Sequence, residues 1–384
     1  MKNKVLIITV LVIAAVVVVA KVVTTLYHCS CHGTIDSEKY DILCRRNYLT
    51  ERLVVSPQEV IDQMPRITGV QFQGEWALYS CSMFCSALAN ISRLYPEAAE
   101  QNRQTMTRLI DIVCSREISG YDTVRWNESA LSSLGGDKSH ISYLSHLAWM
   151  ICGYKLSGGC GKYDQLLDDI CEAMNRRIVE SEALNLPTYP GEPIYIPDML
   201  VAIVALKQYG DMYNGQYRTT VNSWLQRAEA DWIDSKSGVL VSFLDYDGRQ
   251  FADAPVKGSY SALSCYYLTL IDEQFASEQY LAVKSYLWRG GLLAGVKEQH
   301  SGLPFGMDID AGLILFGLSP SGTAFYAGAA TYFGDAAVRN SILRTAELAG
   351  TTVGTGESRH YLLANTALVG EAIMLCMRTN VRAE

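Results

Sequence analysis

Charge is scarce in this sequence: Asp, Glu, Lys and Arg make up 19% of its 384 residues against 49% hydrophobic, and the net charge is −8. It has no long basic run and no patch in which basic and aromatic residues interleave. The electrostatic footprint of nucleic-acid binding is therefore missing, and nucleic acid is not an expected partner. Also absent are G-x-S-x-G, G-x-x-x-x-G-K-[ST], H-E-x-x-H, and a G-x-G-x-x-G set between a strand and a helix. The serine hydrolases, nucleotide enzymes and zinc proteases that those patterns mark lose their support, and no nucleotide or metal cofactor is expected. A glycosidase is not excluded, because two carboxylates brought together by folding leave no local signature.

An even number of cysteines is lacking too, and the 11 present cannot all pair within one chain. Most sit in apolar stretches, among them Cys81, Cys85, Cys152, Cys171, Cys265 and Cys376, where a thiol behaves as a small hydrophobe. Cys81 and Cys85, four residues apart on one helix, would hold their Cβ atoms about 5–6 Å apart, too far for an unstrained disulfide. The run His28-Cys29-Ser30-Cys31-His32 offers metal-binding residue types. Adjacent ligands rarely wrap one ion tetrahedrally, so a membrane-proximal stalk is the plainer reading.

What is present begins with an apolar run. Lys2 and Lys4 precede Val5–Tyr27, which only Lys21 interrupts. At about 1.5 Å per residue this run spans a bilayer core of about 30 Å, with Lys21 placed to snorkel. No small-x-small cleavage site follows, which favours an uncleaved anchor over a removed signal peptide. The two lysines favour a cytoplasmic N-terminus and an extracytoplasmic domain. The chain thus divides into an anchor over 1–27, a stalk and entry helix over 28–68 and the main domain over 69–384.

That domain alternates two kinds of helix. Trp76–Leu94, Ile141–Tyr154, Met199–Tyr209, Tyr260–Ile271, Gly322–Phe333 and Tyr361–Met377 are poor in charge, which requires burial. Ala98–Cys114, Lys162–Val179, Tyr217–Ile233, Gln279–Trp288 and Ala336–Ala349 carry charge on one face and belong outside. Strict alternation with short turns describes stacked helical hairpins, and six inner helices close into a ring. The fold class is all-α: an (α/α)6 toroid preceded by one transmembrane helix. The sixth outer helix is not evident, and the entry helix around Gln58–Met64 is the candidate; an open solenoid is the alternative. The longer loops Ser115–His140, Glu182–Asp198, Asp234–Ser259, Arg289–Ser321 and Thr351–His360 all precede inner helices. They emerge at one mouth of the ring, where a pocket is expected.

Candidate chemistry clusters at that mouth. Glu75 and Tyr79 share a helix face one turn apart and suit acid/base work, although a Glu in a first helical turn has a dipole explanation as well. His146 sits in a nearly uncharged helix beside Tyr143 and Trp149, where a histidine serves either as a core residue or as a proton-exchanging group. The loop Tyr189–Asp198 holds three prolines that stiffen it and presents Glu192, Tyr195 and Asp198; Asp198 is also placed to cap the next helix. Asp308 and Asp310 in a glycine-rich loop suit either a carboxylate clamp or a plain turn. Tyr260 and His360, near the starts of two inner helices, complete the set.

Over Glu75 to Met377 the chain resembles the linalool dehydratase/isomerase-like family of toroids. Tyr143–Met150 is similar to that family's Tyr-x-x-His-Leu inner helix, and Glu192–Asp198 to its Glu-Pro loop ending in Pro-Cys. The resemblance implies an active-site role for His146. It places Tyr189 and Asp198 where the family carries cysteines, so the fold transfers better than the reaction. It implies elimination, hydration or isomerisation at a hydroxyl-bearing carbon of an alkenol or lipid. A toroid glycoside hydrolase or polysaccharide lyase, and a non-catalytic surface binder, are the alternatives. The expected partners are a small-molecule or glycan substrate and the membrane; self-association stays open.

Overall fold

The computed structural model describes residues 2–30, 34–66, 70–354 and 356–383. The side chains of the His28–His32 cluster lie outside the described residues. Fifteen α-helices follow in chain order: α1 Lys2–Ser30, α2 Ile35–Leu53, α3 Pro57–Asp62, α4 Val70–Leu94, α5 Ala99–Val113, α6 Arg116–Trp126, α7 Ile141–Leu156, α8 Asp164–Glu180, α9 Ile196–Met212, α10 Arg218–Asp231, α11 Gly258–Leu268, α12 Glu273–Tyr286, α13 Pro320–Tyr332, α14 Ala336–Gly350 and α15 Leu368–Arg378. Among the described residues, β-structure is limited to two-stranded hairpins and pairings in the loops.

Packing gives the ring directly. α4 touches α7, α7 touches α9, and the contacts run on through α11, α13 and α15 back to α4. The charge-poor helices are the inner ones because they have no polar face to turn to water: every residue of α7 from Ile141 to Tyr154 is buried. The amphipathic helices α5, α8, α10, α12 and α14 lie outside, each against an inner neighbour. This is the six-hairpin (α/α)6 toroid that the alternation predicts.

The sixth outer helix differs from the expectation. It is α2, which packs on α15 and α4, whereas the entry helix α3 is a short piece against α4 and α6. Ser56 and Glu59 cap α3 reciprocally and Pro57 occupies its first turn, as Ser56-Pro57 suggests. Residues 35–53 are thus part of the ring and not a stalk. Their polar composition concealed this, because the face that α2 buries is ionic. Glu38 accepts from both terminal guanidinium nitrogens of Arg339, at 2.6 and 2.7 Å, and from two nitrogens of Arg378, at 2.9 and 3.3 Å. Asp41 receives Arg45 at 2.8 Å and Arg378 at 2.7 Å, and Arg45 reaches Glu371 at 2.7 Å. Three more local differences follow. The loop after α5 contains α6; the last inner helix begins at Leu368, after a strand at His360–Tyr361 and a 3₁₀ turn; and Arg289–Ser321 forms a hairpin pairing Phe305–Asp308 with Gly312–Leu315. The nine cysteines from Cys44 to Cys376, whose side chains are described, are free, most of them buried.

Among the described residues, one helix is long and apolar enough to cross a membrane, over Leu6–Tyr27 in α1. Its C-terminal part packs against α14, where the Lys21 ammonium donates to the Glu347 carbonyl at 2.8 Å and to the Thr351 hydroxyl.

Candidate active site

A cavity of about 640 Å³ opens among the long loops. Glu75 and Tyr79 enter it from α4, Glu192, Tyr195 and Asp198 from the proline loop and the start of α9, Tyr260 from α11, and Asp310 from the hairpin loop. Seven of the predicted residues are therefore brought together from four separate stretches of chain.

Asp198 lies in the first turn of α9, where the helix dipole favours an anion, yet it caps nothing. Its carboxylate accepts two side-chain hydrogen bonds, from the Tyr79 hydroxyl at 2.8 Å and from the Thr188 hydroxyl at 2.6 Å. Burial raises its pKa, the two donors pull the other way, and the result is a carboxyl pushed up to about 6. Glu75 is five residues inside α4, too deep for a first-turn capping role. Burial, and then the charge of Asp198, push its pKa up to about 8; the Tyr189 hydroxyl and Arg125 offset only part of this. Tyr79 is held well above its ordinary range by burial and by Asp198, which keeps it a neutral donor. At neutral pH Glu75 is thus mainly protonated, Asp198 mainly ionised and Tyr79 neutral.

The walls complete the site. Tyr195 and Tyr260 meet edge to face with ring centres 5.8 Å apart. Arg125 pairs with Glu192 at 2.9 Å and lies over the Tyr189 ring. Lys257, one residue before α11, holds Asp310 at 2.8 Å and Asp308 at 3.1 Å and lies over the Tyr260 ring. Close packing fixes this corner. Gly258 donates its N–H to the Glu298 carbonyl at 2.8 Å, and a Cβ there would sit 1.9 Å from the Lys297 carbonyl oxygen. No side chain larger than hydrogen fits.

The remaining predicted residues stand apart from the cavity. His146 and Trp149 are buried and do not line it. His146 accepts or donates a 2.8 Å hydrogen bond with Ser82, and its ring packs 4.3 Å from the Tyr79 ring. Burial lowers its pKa to about 3, so it is a neutral ring braced behind Tyr79. Asp308 accepts the backbone N–H groups of Asp310 and Ala311, the turn role weighed for it, and adds Lys257. His360 stacks on Tyr48, with ring centres 3.9 Å apart. Sequence reasoning passed over Thr188, Arg125 and Lys257. A threonine two residues before Pro190 and a lone lysine at the start of a charge-poor helix were the available signals.

Apolar side chains make up the other walls: Leu263, Leu313, Phe325, Ile342, Ala346 and Met374 among them. Ile342 and Ala346 belong to α14, so the cavity reaches through the inner ring to an outer helix.

No family model matches the sequence, and no curated protein matches it. Solved structures do. An unsaturated glucuronyl hydrolase specific for heparin superposes with a TM-score of 0.54 at 12% identity, covering 88% of this chain and 96% of that one. A protein from Salmonella enterica serovar Paratyphi A, described as a possible member of the GH105 family, superposes at 0.53 with 15% identity, covering 89% and 93%. At such identities the likeness is one of fold, and it agrees with the toroid built above. It bears on the toroid part of the resemblance noted from the sequence, while neither of these two structures is a terpenoid dehydratase.

Proposed function

We propose that the cavity is the active site of a toroid-type hydrolase acting at a sugar-like C–O centre, with Glu75 as proton donor and Asp198 as base. The observation that carries this reading is the pair itself: two carboxyl groups in one cavity whose surroundings push their pKa values to about 8 and about 6. Groups driven apart in this way divide into acid and base. Glu75 protonates the leaving oxygen as the C–O bond breaks, and Asp198 takes a proton from the water whose oxygen forms the new bond to carbon. Tyr79 and Thr188 orient the base, and Tyr195 and Tyr260 flank the positive charge that builds on carbon. The fold-level likeness to a glucuronyl hydrolase adds support by analogy.

The cations favour a neutral or hydroxyl-rich group over a polyanion. Among the described residues Arg125 is the one Lys or Arg that lines the cavity, where Glu192 already engages it, while Lys257 stands behind the lining and is held by Asp310 and Asp308. A second reading, elimination or isomerisation at a hydroxyl-bearing carbon, uses the same acid and base and is favoured by the apolar walls. A parallel screen of the full chain against alkyl glycosides, unsaturated disaccharides and alkenols separates the two. Release of a reducing sugar that Glu75→Gln and Asp198→Asn both abolish is the expected result. Alkene formation without sugar release sides with the second reading, and unchanged turnover in both variants would falsify the site.

A further inference from the structure

The anchor helix and the cavity share α14. On one side, α14 meets α1 through Lys21, bound to the Glu347 carbonyl and the Thr351 hydroxyl. Thr25, one turn further along α1, is only 3% exposed. On the other side, Ile342, Ala346 and Ala349 line the apolar part of the cavity. Both Lys21 and Thr25 fall inside the apolar span Leu6–Tyr27. If the whole span crosses the bilayer, its last part, from Lys21 to Tyr27, runs alongside the domain for about 9 Å at 1.5 Å per residue. The domain surface beside α1 therefore descends about that far below the membrane surface, a depth typical of apolar faces that bind at the interface.

The surface there is suited to it. Among the described residues, most of the large apolar side chains exposed outside α1 lie in 292–316 or at Leu362–Leu363, stretches that also line the cavity. Leu362 and Leu363 are 52% and 54% exposed, and the Leu362 N–H donates to the carbonyl of Thr351, the residue that Lys21 holds. Leu292 is 76% exposed beside Gly291, whose carbonyl accepts from Arg344 of α14. Phe305 and Met307, 58% and 66% exposed, project from the hairpin whose other strand, through Leu313 and Leu315, lines the cavity. A patch this apolar on a water-soluble face would be an aggregation liability.

We propose that this patch is a bilayer-binding surface, and that the cavity opens into the membrane interface to take an amphiphile: a hydroxyl-rich headgroup at Glu75 and Asp198, an apolar chain along α13, α14 and α15. The headgroup half rests on the catalytic reading above; the membrane surface rests on α1 being retained and does not depend on turnover. It accounts for a single cavity that joins two ionisable carboxyls to walls of Leu, Ile and Met.

The test uses the full chain in phosphatidylcholine/phosphatidylglycerol vesicles doped with a diazirine phosphatidylcholine. After irradiation, lipid adducts are expected on the hairpin at 305–307 and on Leu362–Leu363, as well as on α1. Adducts confined to α1, or a hairpin cross-linked to a second copy without lipid, overturn the surface. Phe305→Glu combined with Met307→Glu, at two exposed positions outside the cavity wall, is expected to lower hairpin labelling about tenfold or more while α1 labelling persists. For the occupant, a diazirine alkyl glucoside in the same vesicles is expected to label Ala346 or Met374. Labelling absent from the cavity walls overturns the amphiphile. Because labelling needs no chemistry, repeating it in Glu75→Gln separates this proposal from the catalytic one: labelling that survives with turnover lost supports both, and labelling that survives with turnover intact retires only the catalytic roles.

Discussion

Tyr79 and Asp198 are joined by a 2.8 Å hydrogen bond although their helices, α4 and α9, are not neighbours in the ring; α7 stands between them. The phenol donates to the carboxylate, and the ring that supports the phenol from behind is His146 of α7. Three inner helices thus meet around one hydrogen-bonded phenol–carboxylate pair.

Turnover is expected to be bell-shaped in pH. Asp198 must be ionised to act as base, so the rate rises as pH climbs through about 6. Glu75 must be protonated to act as acid, so the rate falls as pH passes about 8. Glu75→Gln removes the acid and is expected to cost about 10²–10⁴ in rate, with the alkaline limb gone. A pH–rate profile whose limbs ignore both substitutions sinks the assignment.

Tyr79→Phe removes one of the two donors that hold the Asp198 carboxyl down. A hydrogen bond to a charged group contributes about 1.5–3 kcal/mol, and one pKa unit is about 1.4 kcal/mol. The acid limb is therefore expected to move up by about 1–2 pH units. An unmoved limb would show that Asp198 is not the group that titrates there.

On the proposed reading His146 is expected to act as a positioning residue and not through its own titration, since burial leaves it neutral down to about pH 3. His146→Ala is expected to lower turnover and to move the acid limb in the same direction as Tyr79→Phe, because the phenol loses its backing. A simple loss of folded protein would lower the amplitude and leave the limb in place, so the pH profile distinguishes the two.

The ionic face of α2 governs acid stability. Burial by itself would raise the Glu38 carboxyl, but the guanidiniums of Arg378 and Arg339 outweigh it and hold the pKa at about 2, below its ordinary 4.5. The sign follows: this contribution is full above pH 4.5 and is lost as pH falls toward 2. Arg378→Met strands buried carboxylates and is expected to cost about 3–5 kcal/mol, read by denaturant unfolding of the full chain in detergent. A loss under about 1 kcal/mol would mean that α2 is not locked by this network.

The sequence by itself determined the periodic part of this protein. Charge-poor helices such as α7 and α9 must be buried whatever surrounds them, and their alternation with one-faced helices leaves a ring of hairpins as the economical packing. It also pointed to Asp198, Tyr260 and Asp310 at one mouth, because they sit in or beside loops that precede inner helices, and to Glu75 and Tyr79 in the first part of the first inner helix. Tertiary structure decided what no period encodes. Ile35–Leu53 reads as polar and completes the ring only because Arg339 and Arg378, some 300 residues further on, neutralise its acids. His146 looks like a proton carrier until the fold seats it behind Tyr79, in surroundings that remove its charge. The difference between two chemically similar carboxyls, Glu75 and Asp198, came last of all. Local sequence supplies the groups, but their pKa values depend on burial and on partners from distant helices, and those exist only once the ring has closed.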